Sequence, residues 1–384
     1  MKLETLCIHG AKDPCNTSGA ISVPIYQSAT FGHPGVGVST GYDYSRVHNP
    51  TRESLEKQVA ALEGGTDALA FTSGMAAIAA LMELFSPGDH IIACDDLYGG
   101  TTRLFDSISR KNGLMVEYVD ARDVGGVTAK IGRRTRAVFI ETPTNPLMRV
   151  TDIAAVRKAI GPDILLVVDN TFLTPYFQRP IGLGADVVVH SGTKYLGGHN
   201  DTLAGFLVTA RTSLADRLRH VFKTTGAGLA PFDCFLIIRG LKTLALRMEK
   251  SQGNAIQVAH WLLKHPKVRA VHYPGLHRHP DYAVSKKQAG GFGAMISFEV
   301  DCVETAHRVL EGLDMILYAE SLGGVETLIT YPLMQTHADV PEEKRAHLGI
   351  SDCLLRLSVG IEALDDIVAD LGRAFGKSLE SGRA

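Results

Sequence analysis

The sequence predicts an α/β protein: a mostly parallel, doubly wound sheet, a smaller C-terminal α+β unit and an extended N-terminal arm. Three observations carry that expectation. From about Thr51 to Val208, short apolar runs of strand length alternate with stretches of helical spacing, the pattern of βαβ units. Two of those runs, Ile164-Leu165-Leu166-Val167-Val168 and Ala185-Asp186-Val187-Val188-Val189, are apolar almost throughout, as strands covered on both faces are. The first forty-odd residues, by contrast, carry Gly10, Pro14, Gly19, Pro24, Pro34, Gly35 and Gly37 with little helical period, and read as an arm, not a domain.

In chain order, residues 52–62 have apolar positions at helical spacing and stop at Gly64-Gly65. Residues 68–71 form a short strand, 74–84 an apolar helix, 90–93 a strand and 101–110 a helix. Strands at 115–118 and 137–140 flank a short helix at 127–131, and a helix at 152–160 leads into the strand ending at Asp169. The run 204–208 is the odd strand of the sheet. A long helical region over 232–264, broken near Gly240, leads to a second domain with strands at 294–298 and 354–358 and a closing helix at 363–375. The expected division is an arm over 1–50, a large domain over 51–240 and a small domain over 241–384. Neither a repeat nor a low-complexity segment interrupts it.

Composition narrows the function. At 384 residues the chain is long enough for two domains with sizeable cores, and 45% apolar with 21% charged residues is ordinary for a globular protein. A formal net charge of −2 and only short basic stretches point away from nucleic acid and anionic membranes. No run is long and apolar enough to span a bilayer, and the first residues lack an apolar signal core, so a cytoplasmic location is the default. Cys7, Cys15, Cys94, Cys234, Cys302 and Cys353 are scattered without close pairs, which argues against a disulfide framework and a zinc site. His190 and His199 flank a lysine, yet a lone histidine is more often a satisfied polar group than a ligand.

The chemistry gathers where strands end. Lys194, in His190-Ser191-Gly192-Thr193-Lys194-Tyr195, follows one buried run; Asp169 ends another. In doubly wound sheets ligands collect at the carboxyl ends of strands. Pyridoxal phosphate needs a lysine for its Schiff base and an acid for its pyridinium nitrogen, and this pair suits it. Burial lowers a lysine's pKa toward the partly neutral amine that such chemistry requires. The bland alternatives are a surface lysine after a strand and an N-cap aspartate before Asn170-Thr171. Ser73-Gly74-Met75 opens a helix after a strand, where backbone amides bind phosphate, with Ser191 and Thr193 as further hydroxyl donors; an N-cap serine with a packing glycine is the alternative. Tyr98, before Gly99-Gly100, can stack on a flat ring. Asn145 lies in a loop held by Pro143 and Pro146. Arg46, beside Tyr44 in the arm, suits a phosphate. Arg356 lies in an apolar strand and needs an anion, either a substrate carboxylate or a structural ion-pair partner.

With Tyr44-Ser45-Arg46, Asn49-Pro50-Thr51, Glu141-Thr142-Pro143-Thr144-Asn145-Pro146, Val168-Asp169-Asn170-Thr171, Thr193-Lys194-Tyr195 and Glu320-Ser321-Leu322-Gly323-Gly324 in place, the chain resembles the pyridoxal-phosphate enzymes of cysteine and methionine metabolism. The resemblance covers nearly the whole chain and implies an aminotransferase-like (fold type I) architecture. It implies Lys194 as Schiff-base lysine and proton shuttle and Asp169 as partner of the pyridine nitrogen. Tyr98 stacks on the ring and helps with the leaving group, and Gly74, Met75, Ser191 and Thr193 hold the phosphate. Tyr44 and Arg46 complete the phosphate site from a neighbouring subunit, within a homotetramer of two catalytic dimers. Asn145, Ser321 and Arg356 hold the substrate carboxylate or the cofactor face.

The resemblance also orders the reactions. Gly100 stands where methionine γ-lyases have cysteine, and Glu320 matches the cystathionine γ-branch, where an acid attracts a distal amino group. Gly198-His199-Asn200-Asp201, Pro231-Phe232-Asp233 and Thr330-Tyr331-Pro332 with Gln335-Thr336-His337 look nearest to γ-synthases acting on activated homoserine esters. The implied activity is therefore γ-replacement or γ-elimination, of cystathionine γ-synthase or γ-lyase type. Cystathionine β-lyase, homoserine-ester sulfhydrylase and methionine γ-lyase are the alternatives. A rival of another class is the Ser-x-x-Lys acyl hydrolase box at Ser191-Gly192-Thr193-Lys194. It wants its serine on a helix and a Lys-Thr-Gly box, whereas the chain has Lys223-Thr224-Thr225-Gly226.

Overall fold

The computed structural model describes residues 1–384 except 13, 16, 337, 339, 341 and 377–384. His337, the last residue of the motif quoted above, therefore lies outside the described residues. The arm opens with a helix that its sequence did not announce, α1 (Leu3–His9). Tertiary contacts make it: Cys7 is buried, and its carbonyl accepts a bond from Gln58 Nε2 at 2.6 Å. Helix α2 (Pro50–Glu63) starts where Asn49 Oδ1 accepts the amides of Thr51 and Arg52, and ends at Gly64, whose φ of 78° is left-handed.

The large sheet is then laid down as β1 (Asp67–Phe71), β2 (His90–Cys94), β3 (Met115–Val119), β4 (Thr135–Glu141), β5 (Leu165–Asp169), β6 (Val187–Ser191) and β7 (Gly205–Thr209). Its order is β1-β7-β6-β5-β4-β2-β3. Only β7 runs against its neighbours, which makes it the odd strand expected at 204–208. Between these strands lie α3 (Gly74–Met82), α4 (Gly99–Arg103), α5 (Val124–Ala129), α6 (Ile153–Ile160) and α7 (Thr174–Phe177). The helix expected over 101–110 begins two residues earlier and turns into a wider π-helical stretch, Leu104–Ser109. Valines and isoleucines of β4, β5 and β6 are fully buried, so the sheet is covered on both faces.

Beyond β7, α8 (Thr212–Thr225) packs on the sheet, an amphipathic helix absent from the sequence expectation. The long helical region then divides into α9 (Pro231–Leu241) and α10 (Leu244–Lys264), with the break after Gly240. A second sheet follows, of β8 (Val268–His272), β9 (Met295–Val300), β10 (Leu317–Tyr318), β11 (Leu328–Thr330) and β12 (Leu354–Ser358), in the order β10-β11-β12-β9-β8. It is antiparallel apart from the β10/β11 pair. Helices α11 (Tyr282–Gln288), α12 (Val303–Gly312), α13 (Glu342–Leu348) and α14 (Leu364–Gly376) accompany it, and α12 and α14 pack together. Of these strands the sequence announced β9 and β12 alone.

The stretch that leads to β10 is tied down by one carboxylate. Asp370, on α14 and 2% exposed, accepts the amides of Asp314 at 3.0 Å, Met315 at 3.0 Å and Ile316 at 2.7 Å. Asp370→Ala removes the acceptor of three amides, of which that of Ile316 is buried, and is expected to cost about 3 kcal/mol of stability. A urea midpoint unchanged from wild type would contradict that accounting.

Candidate active site

Strands β1, β2, β4, β5 and β6 point the same way, and the segments leaving their carboxyl ends converge on a cavity of about 210 Å³. Lys194 lies three residues beyond the end of β6, in a turn where its amide bonds Ser191 O at 3.2 Å. Its Nζ enters the cavity and donates to Ser321 Oγ at 2.7 Å. Burial, helped by the nearby Arg356 charge and opposed by Glu320, brings its pKa down to about 8. Glu320 itself is exposed at the cavity wall.

Asp169, the last residue of β5, is 9% exposed in the same cavity. Thr171 holds Oδ1 by its amide at 3.0 Å and its hydroxyl at 2.6 Å, a local turn and not a helix N-cap, since the next helix starts only at Thr174. Among the described residues no cation pairs with Asp169. Burial raises its pKa, and Thr171 and the His190 charge pull the other way. His190 is itself structural: wholly buried, its Nε2 lies 2.6 Å from Glu63 Oε1.

Helix α3 opens into the cavity. Ser73 Oγ accepts the Ala76 amide at 3.1 Å, so the serine is a cap. That leaves the first-turn amides of Gly74 and Met75 without an acceptor in the helix. The crossing with β7 is close: a Cβ at Gly205 would lie 2.0 Å from Ser73 O. Ser191 Oγ lies by Gly74, 3.3 Å from where a Cβ there would sit. Thr193 Oγ1 also lines the cavity, though it accepts the Ala204 amide at 3.0 Å.

Tyr98 caps α4 and is 41% exposed at the cavity. Its ring lies over Gly100, where a Cβ would stand 2.5 Å from Tyr98 Cε1. On the opposite wall Arg356 is 1% exposed. Its Nη1 donates to Asn145 Oδ1 at 2.8 Å, and its Nη2 to Ser321 O and Thr330 Oγ1, both at 3.1 Å. Each partner is neutral. The ion-pair reading has no carboxylate to support it among the described residues, and burial lowers the guanidinium to about 10. Ser321, gripped at carbonyl and hydroxyl, is held at φ 90°, a conformation a serine adopts only when its surroundings impose it.

Tyr44 and Arg46, expected to serve a neighbouring subunit's site, lie outside this chain's own cavity. Tyr44 is 47% exposed, and the exposed Arg46 stacks on it at 5.6 Å and donates to its own chain's Lys223 O. Glu141, Thr171 and Thr336 line the cavity and were not singled out. For Glu141 the signal was present, since it ends an apolar strand as Asp169 does.

The residues present fit pyridoxal phosphate. An amine of lowered pKa, a carboxylate without a counter-ion among the described residues, two amides without an acceptor in their own helix and an aromatic ring all belong to one cavity. The box Ser191-x-x-Lys194 is a strand end, and its amine bonds Ser321, not Ser191.

A family model described as Cys/Met metabolism PLP-dependent enzyme matches residues 4–376. Over 378 residues the chain is 48% identical to cystathionine gamma-lyase of Bacillus subtilis (strain 168), covering 98% of this chain and 99% of that one. It is 47% identical over 378 residues to cystathionine beta-lyase of Lactococcus lactis subsp. cremoris (strain MG1363), again covering 98% and 99%. The crystal structure of cystathionine gamma-lyase from Lactobacillus plantarum complexed with L-serine matches with a TM-score of 0.96 at 46% identity, over 98% of each chain.

The environment of Lys194 has a direct readout. With its pKa at about 8, the amine is expected to gain nucleophilicity through that pH in the cofactor-free protein. Acylation rates followed by peptide mass spectrometry would show it, and an inflection near the ordinary lysine value of about 10.4 would contradict the burial argument. In stability the sign is opposite to that of a salt-bridged lysine. The unfolded chain binds the extra proton between about pH 8 and 10.4, so the cost of burying the ammonium fades as pH rises through that window.

Proposed function

Because the chain belongs to the Cys/Met metabolism PLP-dependent enzymes, we propose that it makes or breaks carbon–sulfur bonds of sulfur amino acids by γ-replacement or γ-elimination. The observation that carries the reading is the buried Lys194 amine, which shares its cavity with an Asp169 that has no cation, and an Arg356 that has no carboxylate, paired with it among the described residues. When bound, pyridoxal phosphate supplies an electron sink for charge that develops on the substrate carbons.

The rest falls to the chain's own groups. Asp169 would hold the ring nitrogen in its positive form, and Tyr98 would cover the ring. The amides of Gly74 and Met75, with Ser191 and Thr193, would take the phosphate at the α3 N-terminus. Arg356 and Asn145 take the substrate carboxylate, with Ser321 setting the angle of both Arg356 and Lys194. Lys194 then removes the α-proton and shuttles it. In γ-chemistry it must also take a β-proton, which demands an amine that exchanges protons near neutrality, as a pKa of about 8 allows. Residues 51–240 act as the cofactor-binding domain, and 241–384 supply Arg356 and Glu320.

Glu320 favours the γ-branch. It is an exposed acid at the cavity wall, placed to attract the distal ammonium of cystathionine or cysteine. Gly100 also leans away from methionine γ-lyase, because any side chain there would displace the Tyr98 ring. β-Lyase and homoserine-ester sulfhydrylase chemistry remain alternatives within the same cavity.

The assembly is a homotetramer of two catalytic dimers, in the cytoplasm. What supports the oligomer is an arm whose Ile21 and Val36 are 98% and 106% exposed, together with a cavity whose cations among the described residues, Lys194 and Arg356, are assigned to other roles. Tyr44 and Arg46 supply the phosphate's cation to a neighbouring site. No described helix is long and apolar enough to cross a membrane.

A substrate panel tests the reaction. With cystathionine, cysteine, methionine and O-acylated homoserine plus cysteine, ketobutyrate or new cystathionine is the expected product, and pyruvate dominating from cystathionine overturns the γ-branch. Lys194→Ala is expected to lose turnover by about a thousandfold. Mixing Lys194→Ala with Arg46→Ala subunits tests the shared site, since half the dimers become hybrids with one intact site each. About a quarter of wild-type activity should return; none returning refutes a cation supplied from the neighbour.

A further inference from the structure

Asp169 has a neighbour of its own kind. Glu141, the last residue of β4, is its register partner on the adjacent parallel strand. Both line the same cavity, and they are 6% and 9% exposed. Paired residues of neighbouring strands send their side chains to one face, so the cavity receives two carboxyls. A cationic ring nitrogen needs one. Two carboxylates so close in a buried site do not both ionise, and one of them keeps a proton.

The surroundings say which. Asp169 has the hydroxyl and amide of Thr171 on one oxygen, and the nearby His190 also favours its anion. Glu141 Oε2 accepts the Tyr98 amide at 3.1 Å, and its own amide donates to Cys94 Sγ at 3.2 Å. Acids face it from β5 (Asp169) and from the loop after β2 (Asp96, itself raised to about 6). From β12, Arg356 lies within its field, but that guanidinium is committed to Asn145, Ser321 and Thr330. No ion pair joins Glu141 to a cation among the described residues. Burial first, and the Asp169 charge second, push Glu141 well above its ordinary range.

We propose that Glu141 is a positioning residue of the cofactor site that works as a neutral carboxylic acid, fixing Tyr98 through its backbone amide and leaving Asp169 as the single anion opposite the ring nitrogen. The assignment rests on the cofactor site described above. It makes the oxygen that accepts from Tyr98 essential and the negative charge dispensable. Glutamine, neutral and of the same shape, keeps that acceptor.

Two measurements on the holoenzyme decide it. Infrared spectra of protein carrying carboxyl-labelled glutamate should contain an isotope-shifted protonated-carboxyl band at neutral pH, absent from Glu141→Gln. The other described glutamates with displaced acidity, Glu53, Glu299 and Glu304, are all displaced downward and do not contribute. No such band in wild type, or a band that persists in Glu141→Gln, overturns the proposal, and the wild-type spectrum decides even if the variants fail to fold. Pyridoxal phosphate affinity is the second readout. Glu141→Gln should bind within about threefold of wild type, and Glu141→Ala roughly tenfold more weakly, the scale of one part-buried amide losing its acceptor. Equal weakening in both, or none in either, refutes the role. Wild type failing to bind the cofactor at all would instead strike the cofactor site itself, with the labelled band still readable.

Discussion

The structure turns on charged groups that are buried and kept apart. Lys194, Asp169 and Arg356 share one cavity, and none is neutralised by another. Such groups normally pair, because an isolated charge in a low-dielectric site costs several kcal/mol. Here the partners are neutral hydroxyls, amides and carbonyls. That arrangement is stable only if the scaffold is rigid enough to stop the charges collapsing onto one another, and it leaves each free for a ligand that brings the missing charges.

Rigidity comes from how the ends are held. The parallel strands deliver Asp169 and Glu141 in fixed register. Arg247, from α10, donates to Tyr195 O at 2.6 Å and Gly240 O at 2.8 Å, clamping the residue after Lys194 to the end of α9. Arg52 does the same for the arm, donating to Ser45 O at 2.6 Å. The second sheet sends one residue deep into the site, because Arg356 sits in a central strand between Thr330 and Ser297.

Much of this was legible in the sequence, and the reason is local. Lys194 and Asp169 follow apolar runs that form strands in any covered parallel sheet, so their position at strand ends needed no long-range information. The Asn49 cap and the Gly64 stop are likewise local chemistry. Most of the rest depends on distant partners. The helix at Leu3–His9 exists because Gln58 and the body receive it. Strands of two and three residues, Leu317–Tyr318 and Leu328–Thr330, are too short to show a period. Glu141 was absorbed into the proline loop that follows it, although its setting repeats that of Asp169. Helix Thr212–Thr225, by contrast, carries its own local signal, with Leu214, Leu218 and Phe222 buried at helical spacing.

Ser321 joins two of the isolated charges through a single residue. Arg356 grips its carbonyl while Lys194 rests on its hydroxyl, and its backbone is wound the less comfortable way to allow both. An anion that drew on the guanidinium would therefore tug the same peptide unit that tethers the amine. In the proposed reaction, recognition at one end and release at the other would be geared together over one residue's length, and a molecule with a reactive amino group but no carboxylate would fill the space without turning that gear.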